Sequence, residues 1–272
     1  DNLSGMANPK SSTGRLDVFT RLITDYACEF ETVGAGYSGP LYAEISPCTF
    51  SVLIRTGTRL SQLRLRSGAL SIDDRELHSL QQRFGLVSSD AKLSDAALIN
   101  DGIGLSVNLR SELQDGIIGW RARKHAGLID LDKVGALEKS RFWEAVTTTD
   151  LVGGGLVLNP DEFYILASRE FVCVPENFAA EMRAYDTKVG EFRAHYAGFF
   201  DPGFGMGSVG AGKTRAVLEV RSHDVPFLVE QDQIVCRLVY EPMSQTPESL
   251  YGQMPSASNY QAQGLKLAKH FK

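Results

Sequence analysis

The sequence of 272 residues lacks both a long hydrophobic run and an excess of basic residues. No stretch approaches the roughly 18 consecutive apolar residues of a membrane-spanning helix, and no signal peptide opens the chain. The net charge of −5 argues against a protein that coats DNA or RNA. We therefore predict a cytoplasmic globular protein whose partner is neither a membrane nor a nucleic acid.

Residue types that bind metal ions are few, and none has the spacing of a metal site. The four cysteines are scattered without a C-x-x-C pair, which predicts reduced thiols in or near the core. The five histidines are equally dispersed, and none pairs with a cysteine or carboxylate at metal-ligand spacing. The sequence therefore predicts no zinc site.

Alternating apolar and polar residues recur along much of the chain and predict β-strands. The clearest examples are TFSVLIRTG, RLSQLRLRSG, EFYILASREFVCVP, TRAVLEVRSH and QIVCRLVYEP. Helical patterns are few and short, namely IDDRELHSLQQRFG, PENFAAEMRAYD and KSRFWEAV. The predicted fold class is mainly β with a few short helices.

The chain also contains a weak internal repeat. When Glu44 is aligned with Glu219, which lies 175 residues later, apolar positions match without a gap along the two strands that follow each glutamate. Upstream, RAYDTK aligns with KSSTGR, so that Arg183 and Lys188 fall on its first and last residues. We predict two copies of one β-rich unit; the alternative is that any two strand pairs match this well.

Glu44 and Glu219 are the candidate general bases, because each lies on a predicted strand between two apolar neighbours. The period of two points each carboxylate to the face opposite those neighbours. If that face lines a partly dry cleft, the pKa of the carboxyl rises and the group can exchange a proton near neutral pH. The alternative is an ordinary solvated glutamate on a strand.

The segment KSSTGR is a candidate phosphate-binding loop. It combines the cations Lys10 and Arg15, the hydroxyls of Ser11 and Ser12, and Gly14, which lets the backbone approach a ligand. Hydroxyls, backbone N–H groups and an arginine fork all donate hydrogen bonds to anionic oxygens. An ordinary polar loop has the same composition.

Two further segments carry candidate substrate-binding residues. FFDPGFG predicts a turn at Asp201 and Gly203, with aromatic rings that either cover a base or belong to the core. Near the end of the sequence, Tyr260 and Gln263 precede several lysines. We expect either a flexible basic tail over bound phosphates or a solvated terminus.

Together these segments resemble the dCTP deaminase branch of the dUTPase-like family. That family carries R-S-S-x-G-R, then D-P-G-W/F-x-G and a strand ending in L-E, then a P-G-x-x-I/V-x-Q-L strand and a Tyr–Gln–Gly segment. The first copy offers KSSTGR, GYSGPLYAE and RTGTRLSQLRL, and the second offers RAYDTK, DPGFG, AVLEV, DQIVCRLVYEP and NYQAQG. The order of these motifs is a stronger signal than any one of them.

The resemblance implies two tandem dUTPase-like units, each a distorted β-barrel of the β-clip type. The first unit would occupy residues 1–68 and be incomplete at its N-terminus. Residues 69–101 would form a helical connection, and residues 102–272 the second unit with its C-terminal tail.

The resemblance also implies roles for residues. Ser11 and Arg15 would position substrate and water, and Glu44 would be the base that activates water for attack at C4 of cytosine. The second copy keeps Glu219, but Lys188 replaces the arginine whose planar fork the phosphate-binding loop needs. We therefore expect composite sites that use residues of both copies. The candidate substrate-binding residues are Lys10, Ser12, Gly14, Arg183, Lys188, Asp201, Gly203, Tyr260 and Gln263.

The implied activity is metal-independent hydrolytic deamination of dCTP to dUTP and ammonia, with Mg²⁺ bound only through the triphosphate. The chain has neither half of the H-x-E and P-C-x-x-C signature of zinc nucleobase deaminases. The alternatives are a dUTP pyrophosphohydrolase, a bifunctional deaminase and pyrophosphohydrolase, and an inactive nucleotide-binding scaffold. Expected partners are dCTP, with dUTP and dTTP as further nucleotides, and other copies of this chain, a trimer being favoured.

One motif points elsewhere. GSVGAGKT, residues 207–214, matches the phosphate-loop pattern G-x-x-x-x-G-K-S/T. That pattern binds phosphates when a helix follows the loop, whereas here a period-two strand, TRAVLEV, follows. We therefore interpret it as a glycine-rich insertion in a β-hairpin, with Lys213 as a weak candidate for contact with phosphates.

Overall fold

The computed structural model describes most of the chain. The described residues are 3–68, 70, 72–89, 97–111, 115–183, 198–207, 212, 214–222, 224–253, 260 and 264–272. They are mainly β, which confirms the predicted fold class, and the three α-helices among them are short. No helix in these ranges is long and apolar enough to cross a bilayer.

The helices are α1 (Ser11–Gly14), α2 (Asp74–Phe84) and α3 (Lys139–Phe142), with a 3-10 turn at Thr148–Asp150. The strands are β1 (Leu3–Pro9), β2 (Val18–Thr24), β3 (Thr32–Val33), β4 (Leu41–Pro47), β5 (Ser51–Leu53), β6 (Ser61–Ser67), β7 (Val87–Ser88), β8 (Ile103–Ser106), β9 (Ile117–Ala122), β10 (Leu128–Asp130), β11 (Trp143–Thr147), β12 (Gly155–Leu158), β13 (Phe163–Val172), β14 (Phe178–Arg183), β15 (Phe199–Phe200), β16 (Arg215–Arg221), β17 (Phe227–Glu230) and β18 (Ile234–Pro242).

The strongest period-two segments form strands, and the strongest helical segment forms α2. At the start of α2 the Asp73 carboxylate accepts a hydrogen bond from the backbone N–H of Glu76 (2.8 Å). At its end Gly85 takes the left-handed conformation (φ 60°) that glycine favours. Local residues thus define both ends of this helix.

The helix predicted over PENFAAEMRAYD was wrong in its described part, which contains strand β14. Residues Phe178 to Arg183 pair antiparallel with β18, from Phe178 opposite Pro242 to Arg183 opposite Arg237. This pairing supplies backbone hydrogen bonds and burial that outweigh the helix propensity of the segment. The helix predicted over KSRFWEAV is correct only for Lys139–Phe142, because strand β11 follows directly.

The strands form several small sheets. The strand orders, in which neighbours are hydrogen-bonded, are β3-β1-β6, β15-β14-β18-β8, β11-β9-β13-β16 with β7 on β13, and the pairs β2-β4, β5-β10 and β12-β17.

Strand pairing repeats along the chain. Met6 of β1 lies opposite Arg64 of β6, and Glu181 of β14 lies opposite Val239 of β18. Both members of the second pair follow those of the first by the same number of residues that separates Glu44 from Glu219. Strands β3 and β15 flank β1 and β14 in the same way. The pairing thus follows the aligned segments, while two complete barrel units stay a prediction.

The buried apolar side chains form two clusters. The first core lies within residues 77–240. The second core joins Leu16, Val18 and Phe50 to Phe142, Trp143 and other residues of the C-terminal part. Residues 3–68 therefore pack against the rest of the chain through a shared core, and the parallel pairing of β5 with β10 adds to this contact.

Ion pairs connect the β1–β6 sheet to the β14–β18 sheet. The Arg66 guanidinium lies 2.8 Å from Glu181 and 2.5 Å from Glu241. The neighbouring Arg64 lies 3.5 Å from Asp201 and stacks on the Phe199 ring (4.1 Å). These contacts set the position of residues 3–15 relative to the turn that contains Asp201.

Candidate active site

A cavity of about 410 Å³ lies between the KSSTGR segment and strand β16. Its lining includes residues of α1, of β16 and of the turn at Asp201–Phe204. Tyr260 and Lys269 line it as well. Of the residues selected from sequence, the cavity gathers Lys10, Ser11, Ser12, Gly14, Arg15, Asp201, Glu219 and Tyr260.

The KSSTGR segment is held in place by the residue before β6. The Leu60 carbonyl accepts hydrogen bonds from the Lys10 N–H (2.9 Å) and the Thr13 hydroxyl (2.8 Å). The single turn of α1 is closed by the Arg15 N–H, which donates to the Ser11 carbonyl (3.0 Å). The short helix therefore presents Ser11 and Ser12 to the cavity from a fixed backbone.

Arg15 is the most constrained cation of the site. Its Nη1 donates to the Lys266 carbonyl oxygen (2.7 Å), and its guanidinium lies 4.0 Å from the centre of the Tyr260 ring. Its Nε lies 3.6 Å from Glu219 Oε1, and only 3% of the side chain is exposed. The plane of the guanidinium is thus fixed by a carbonyl, a ring and a carboxylate.

Glu219 lies in the middle of β16, opposite Ile165 of β13. Its side chain is 6% exposed and faces the cavity. Burial raises the pKa of the Glu219 carboxyl to about 7, and the Arg15 charge limits that rise. A carboxylate in this state can accept and return a proton near neutral pH.

The turn at Asp201–Phe204 requires glycine at its third position. Gly203 has φ +92°, and a Cβ there would approach the Leu250 Cβ to 2.8 Å and the Tyr251 nitrogen to 3.0 Å. The Phe204 N–H donates to the Asp201 carbonyl (3.0 Å), which closes the turn. Burial raises the pKa of the Asp201 carboxyl, and Arg64 opposes that rise.

Sequence reasoning missed two cations of the cavity, Arg59 and Lys269. Both line it together with Lys10. Burial lowers the pKa of the Lys10 ammonium, and the nearby charges of Lys269 and Arg59 lower it further. Arg59 lies in the RTGTRLSQLRL segment and Lys269 in the lysine-rich stretch near the end of the sequence. Both segments were identified from the sequence, but these two residues were not selected within them. With Arg15, four cationic residues line the cavity, and such a lining favours a polyanionic ligand.

That Mg²⁺ enters with a ligand and not through a protein site stays a prediction, which can be compared with the donor groups of the cavity. In the described ranges, no three His, Cys, Asp or Glu side chains are grouped to hold a metal ion. Mg²⁺ prefers phosphate and carboxylate oxygens and keeps several waters. The wall with Lys10, Arg59 and Lys269 offers cations, which attract phosphates and repel a metal.

The structure does not bring Glu44 to the cavity. Glu44 is exposed on β4, which pairs only with β2 among the described strands, and Arg21 lies opposite it. Of the two alternatives given for Glu44, its environment matches the ordinary solvated glutamate, because water reaches the side chain. Its counterpart in the alignment, Glu219, has the buried environment instead.

Four other residues selected from the sequence either do not line the cavity or lie outside the described ranges. Arg183 is exposed at the end of β14 and lies beside a separate depression with Arg66 and Glu241. Lys188 and Gln263 lie outside the described residues. Lys213 of GSVGAGKT also lies outside the described residues. Strand β16 begins directly after Thr214, which confirms the prediction that a strand follows GSVGAGKT.

Comparison with known families and structures points in one direction. Residues 1–69 match the family described as 2'-deoxycytidine 5'-triphosphate deaminase (DCD) N-terminal domain. Residues 73–271 match the family described as 2'-deoxycytidine 5'-triphosphate deaminase (DCD), C-terminal domain. The crystal structure of 2'-deoxycytidine 5'-triphosphate deaminase from Agrobacterium tumefaciens is similar, with a TM-score of 0.81 and 50% sequence identity. The similarity covers 91% of this chain and 71% of that one.

Curated relatives are more distant. The protein called dCTP deaminase, dUMP-forming, of Methanobrevibacter smithii is 31% identical over 127 residues, 46% of this chain and 60% of that protein. Its namesake in Methanothermobacter thermautotrophicus is 29% identical over 110 residues, 39% of this chain and 52% of that protein. The chain thus matches less than two thirds of the length of either relative.

Proposed function

Because the chain belongs to the 2'-deoxycytidine 5'-triphosphate deaminase family, we propose that it hydrolyses dCTP at C4 of cytosine to give dUTP and ammonia. The observation that carries this proposal is the pairing of Arg15 with Glu219, both almost fully buried, at one cavity. A buried carboxylate with a pKa of about 7 is suited to activating water at neutral pH.

Glu219 acts as the base. Its carboxylate takes a proton from a water molecule as the water oxygen adds to C4. One water proton reaches N3 of the ring and the other reaches the amino group, so that the C4–N bond breaks and ammonia leaves. The C4 carbonyl then forms and Glu219 is again ionised. The water oxygen remains on C4, one water proton remains on N3, and the other leaves with ammonia.

Arg15 and Ser11 orient the reacting groups. The Arg15 guanidinium is held against Glu219 and donates to the Lys266 carbonyl, so its remaining N–H groups have fixed directions. Ser11 lies at the cavity wall on the rigid turn of α1. Fixed donors of this kind stabilise developing charge without reorganisation during the reaction.

The triphosphate binds along the wall that carries Lys10, Arg59 and Lys269. These cations and the Ser12 hydroxyl provide charge-assisted hydrogen bonds to phosphate oxygens. Mg²⁺ enters with the nucleotide and neutralises part of the phosphate charge when bound. Tyr260 closes the cavity over Arg15.

The proposal is tested by incubating the protein with dCTP and Mg²⁺ and following ammonia and nucleotides by chromatography. Equal amounts of ammonia and dUTP are expected. Nucleotide binding without release of ammonia would favour the inactive scaffold, and the absence of both would contradict any dCTP-dependent function.

A second candidate is deamination followed by loss of pyrophosphate, and the names of the two curated relatives favour it. In that case the same assay yields ammonia, dUMP and pyrophosphate, and added dUTP is hydrolysed as well. Accumulation of dUTP as the end product would exclude this candidate, because the second reaction consumes it.

We also retain self-association as a proposal. Leu3, Leu63 and Leu65 are exposed large hydrophobic side chains of β1 and β6, and such surfaces favour contact between subunits. Sedimentation at several protein concentrations tests this, with a trimer expected and a monomer at all concentrations contradicting it.

A further inference from the structure

Residues 265–272, here called the terminal segment, are packed into the second core. Leu267, Ala268 and His270 are buried, in contrast to the flexible tail or solvated terminus expected from the lysines. The Phe271 ring lies 5.4 Å from the Phe142 ring and 5.9 Å from the Trp143 ring, centre to centre. The terminal segment is therefore held by apolar contacts.

Backbone hydrogen bonds hold the terminal segment along its length. The Gly135 N–H donates to the Lys269 carbonyl (2.9 Å), and the Leu137 N–H donates to the His270 carbonyl (3.1 Å). The Lys272 N–H donates in turn to the Leu137 carbonyl (2.9 Å). The two bonds of Leu137 run in opposite directions, as they do between paired strands, and Leu137 and Phe271 form a parallel bridge.

The imidazole of His270 adds a contact from the opposite side. Its Nε2 lies 3.2 Å from the Leu131 carbonyl oxygen, and only 2% of the residue is exposed. His270 and Phe271 thus fasten the terminal segment at two points that do not line the cavity.

The same segment reaches the cavity through three groups. The Lys266 carbonyl accepts the hydrogen bond from Arg15 Nη1 (2.7 Å). The Lys269 N–H donates to the Tyr260 hydroxyl (3.3 Å), and the Tyr260 ring stacks on the Arg15 guanidinium. The Lys269 residue itself lines the cavity. The orientation of Arg15 and the place of Lys269 therefore both depend on where the terminal segment lies.

We propose that His270 and Phe271 are positioning residues for the reaction, which act by holding the terminal segment so that Lys266 orients Arg15 and Lys269 faces the bound phosphates. The inference rests on the proposed function. It assigns a role in turnover to two side chains that do not touch substrate.

The position of the terminal segment affects two kinetic constants. Orientation of Arg15 acts on the transition state and therefore on kcat, whereas placement of Lys269 acts on nucleotide binding and therefore on KM. A misplacement of about 1 Å in an oriented group costs up to roughly 100-fold in rate. Loosening the terminal segment is therefore expected to lower kcat and raise KM together.

The test compares Phe271→Ala with Phe84→Ala. Both phenylalanines are partly buried and near other rings, Phe84 with its centre 6.4 Å from that of Phe178, but Phe84 packs on the first core and does not line the cavity. We expect Phe271→Ala to lose about 10-fold or more in kcat and to raise KM several-fold, with Phe84→Ala within about twofold of wild type. Circular dichroism and thermal melts identify the temperatures at which each variant is folded.

Phe271→Leu, which keeps most of the apolar volume, is expected to recover at least part of the loss. If Phe271→Ala does not fold, the changes in kcat and KM are compared between Phe271→Leu and Phe84→Leu by the same criteria. Kinetic constants of the Phe271 variant within twofold of wild type, or equal losses at Phe84, would overturn the inference.

Binding of inorganic tripolyphosphate by calorimetry separates this inference from the proposed function. If the wild type releases no ammonia from dCTP, the proposed function fails, and tripolyphosphate binding then decides the placement of Lys269. Binding that is several-fold weaker in Phe271→Ala than in Phe84→Ala supports the inference. Equal binding, or none in the wild type, contradicts it.

Discussion

Arg15 Nε lies 3.6 Å from Glu219 Oε1, and both side chains are almost completely buried. Arg15 lies in the part of the chain that matches the N-terminal domain family and Glu219 in the part that matches the C-terminal domain family, and both line one cavity. Burial raises the pKa of the Glu219 carboxyl to about 7, and the Arg15 charge opposes that rise. This balance is what a proton-transferring group requires.

Replacing Glu219 by glutamine is expected to lower kcat by roughly 10²–10⁴-fold, because the amide cannot accept the proton of water. Glu44→Gln is the matched control, since Glu44 occupies the aligned position on the exposed strand β4. Its kcat should stay within about twofold of wild type. Initial rates of ammonia release at saturating dCTP measure both. A loss confined to Glu44→Gln would instead move the base to the first copy.

The pH dependence of kcat/KM reports the ionisation of Glu219 in the free protein. Because burial raises the pKa of this carboxyl to about 7, the reactive ionised form is lost as pH falls below that value. We expect kcat/KM to decrease about tenfold per unit below pH 7 and to level off above it. Rates between pH 5 and 9 at low dCTP check this. A midpoint near 4.5, the ordinary value for glutamate, would show that the base is a solvated carboxylate.

Arg15→Lys keeps the positive charge but removes the planar fork that contacts the Lys266 carbonyl and the Tyr260 ring. We expect kcat to fall by roughly 100-fold, because the oriented donors are lost. Arg21→Lys is the control, since Arg21 also stacks on aromatic rings, Phe19 at 4.2 Å and Phe30 at 4.6 Å, outside the cavity. Steady-state kinetics of both variants measure this, and comparable losses would mean that replacing any stacked arginine lowers kcat, so that the loss at Arg15 is not specific to the cavity.

Gly203→Ala tests the turn that carries Asp201. Alanine there meets both a left-handed φ of +92° and the Leu250 Cβ at 2.8 Å, whereas Gly36 has φ +77° and open space around it. We expect Gly36→Ala to lower the free energy of unfolding by roughly 1–2 kcal/mol and Gly203→Ala by roughly 2–4 kcal/mol. Urea denaturation measures both. Only Gly203→Ala should also raise KM for dCTP, and equal stability losses would mean that crowding is absent at the turn.

The sequence predicted those parts of the fold that depend on local pattern. The period-two segments became strands, and α2 begins and ends at residues whose side chains or backbone suit a helix end. The helix prediction for FAAEMR was wrong because this segment pairs with β18, which is distant in the sequence, and local propensity does not report such contacts.

The candidate site shows the same division. Alternation placed Glu44 and Glu219 on the side of a strand away from their apolar neighbours, but it could not show whether another element covers that side. Whether a strand face is covered depends on tertiary contacts. Glu219 on β16 lies against Arg15, whereas β4 forms a two-stranded pair with β2 and Glu44 is exposed. The lysines near Tyr260 suggested a solvated tail for a similar reason, since LKLAKHF also contains the apolar residues that enter the core.

The presence of Arg15 and Glu219 in one chain has a consequence when the protein is diluted. A site divided between separate subunits falls apart when the protein concentration drops below the dissociation constant of the assembly. Arg15 and Glu219 are joined covalently, so each is present near the other at an effective concentration that does not change with the amount of protein. Their contact, and the shared core beneath it, should therefore persist at concentrations far below those at which any association between chains is lost.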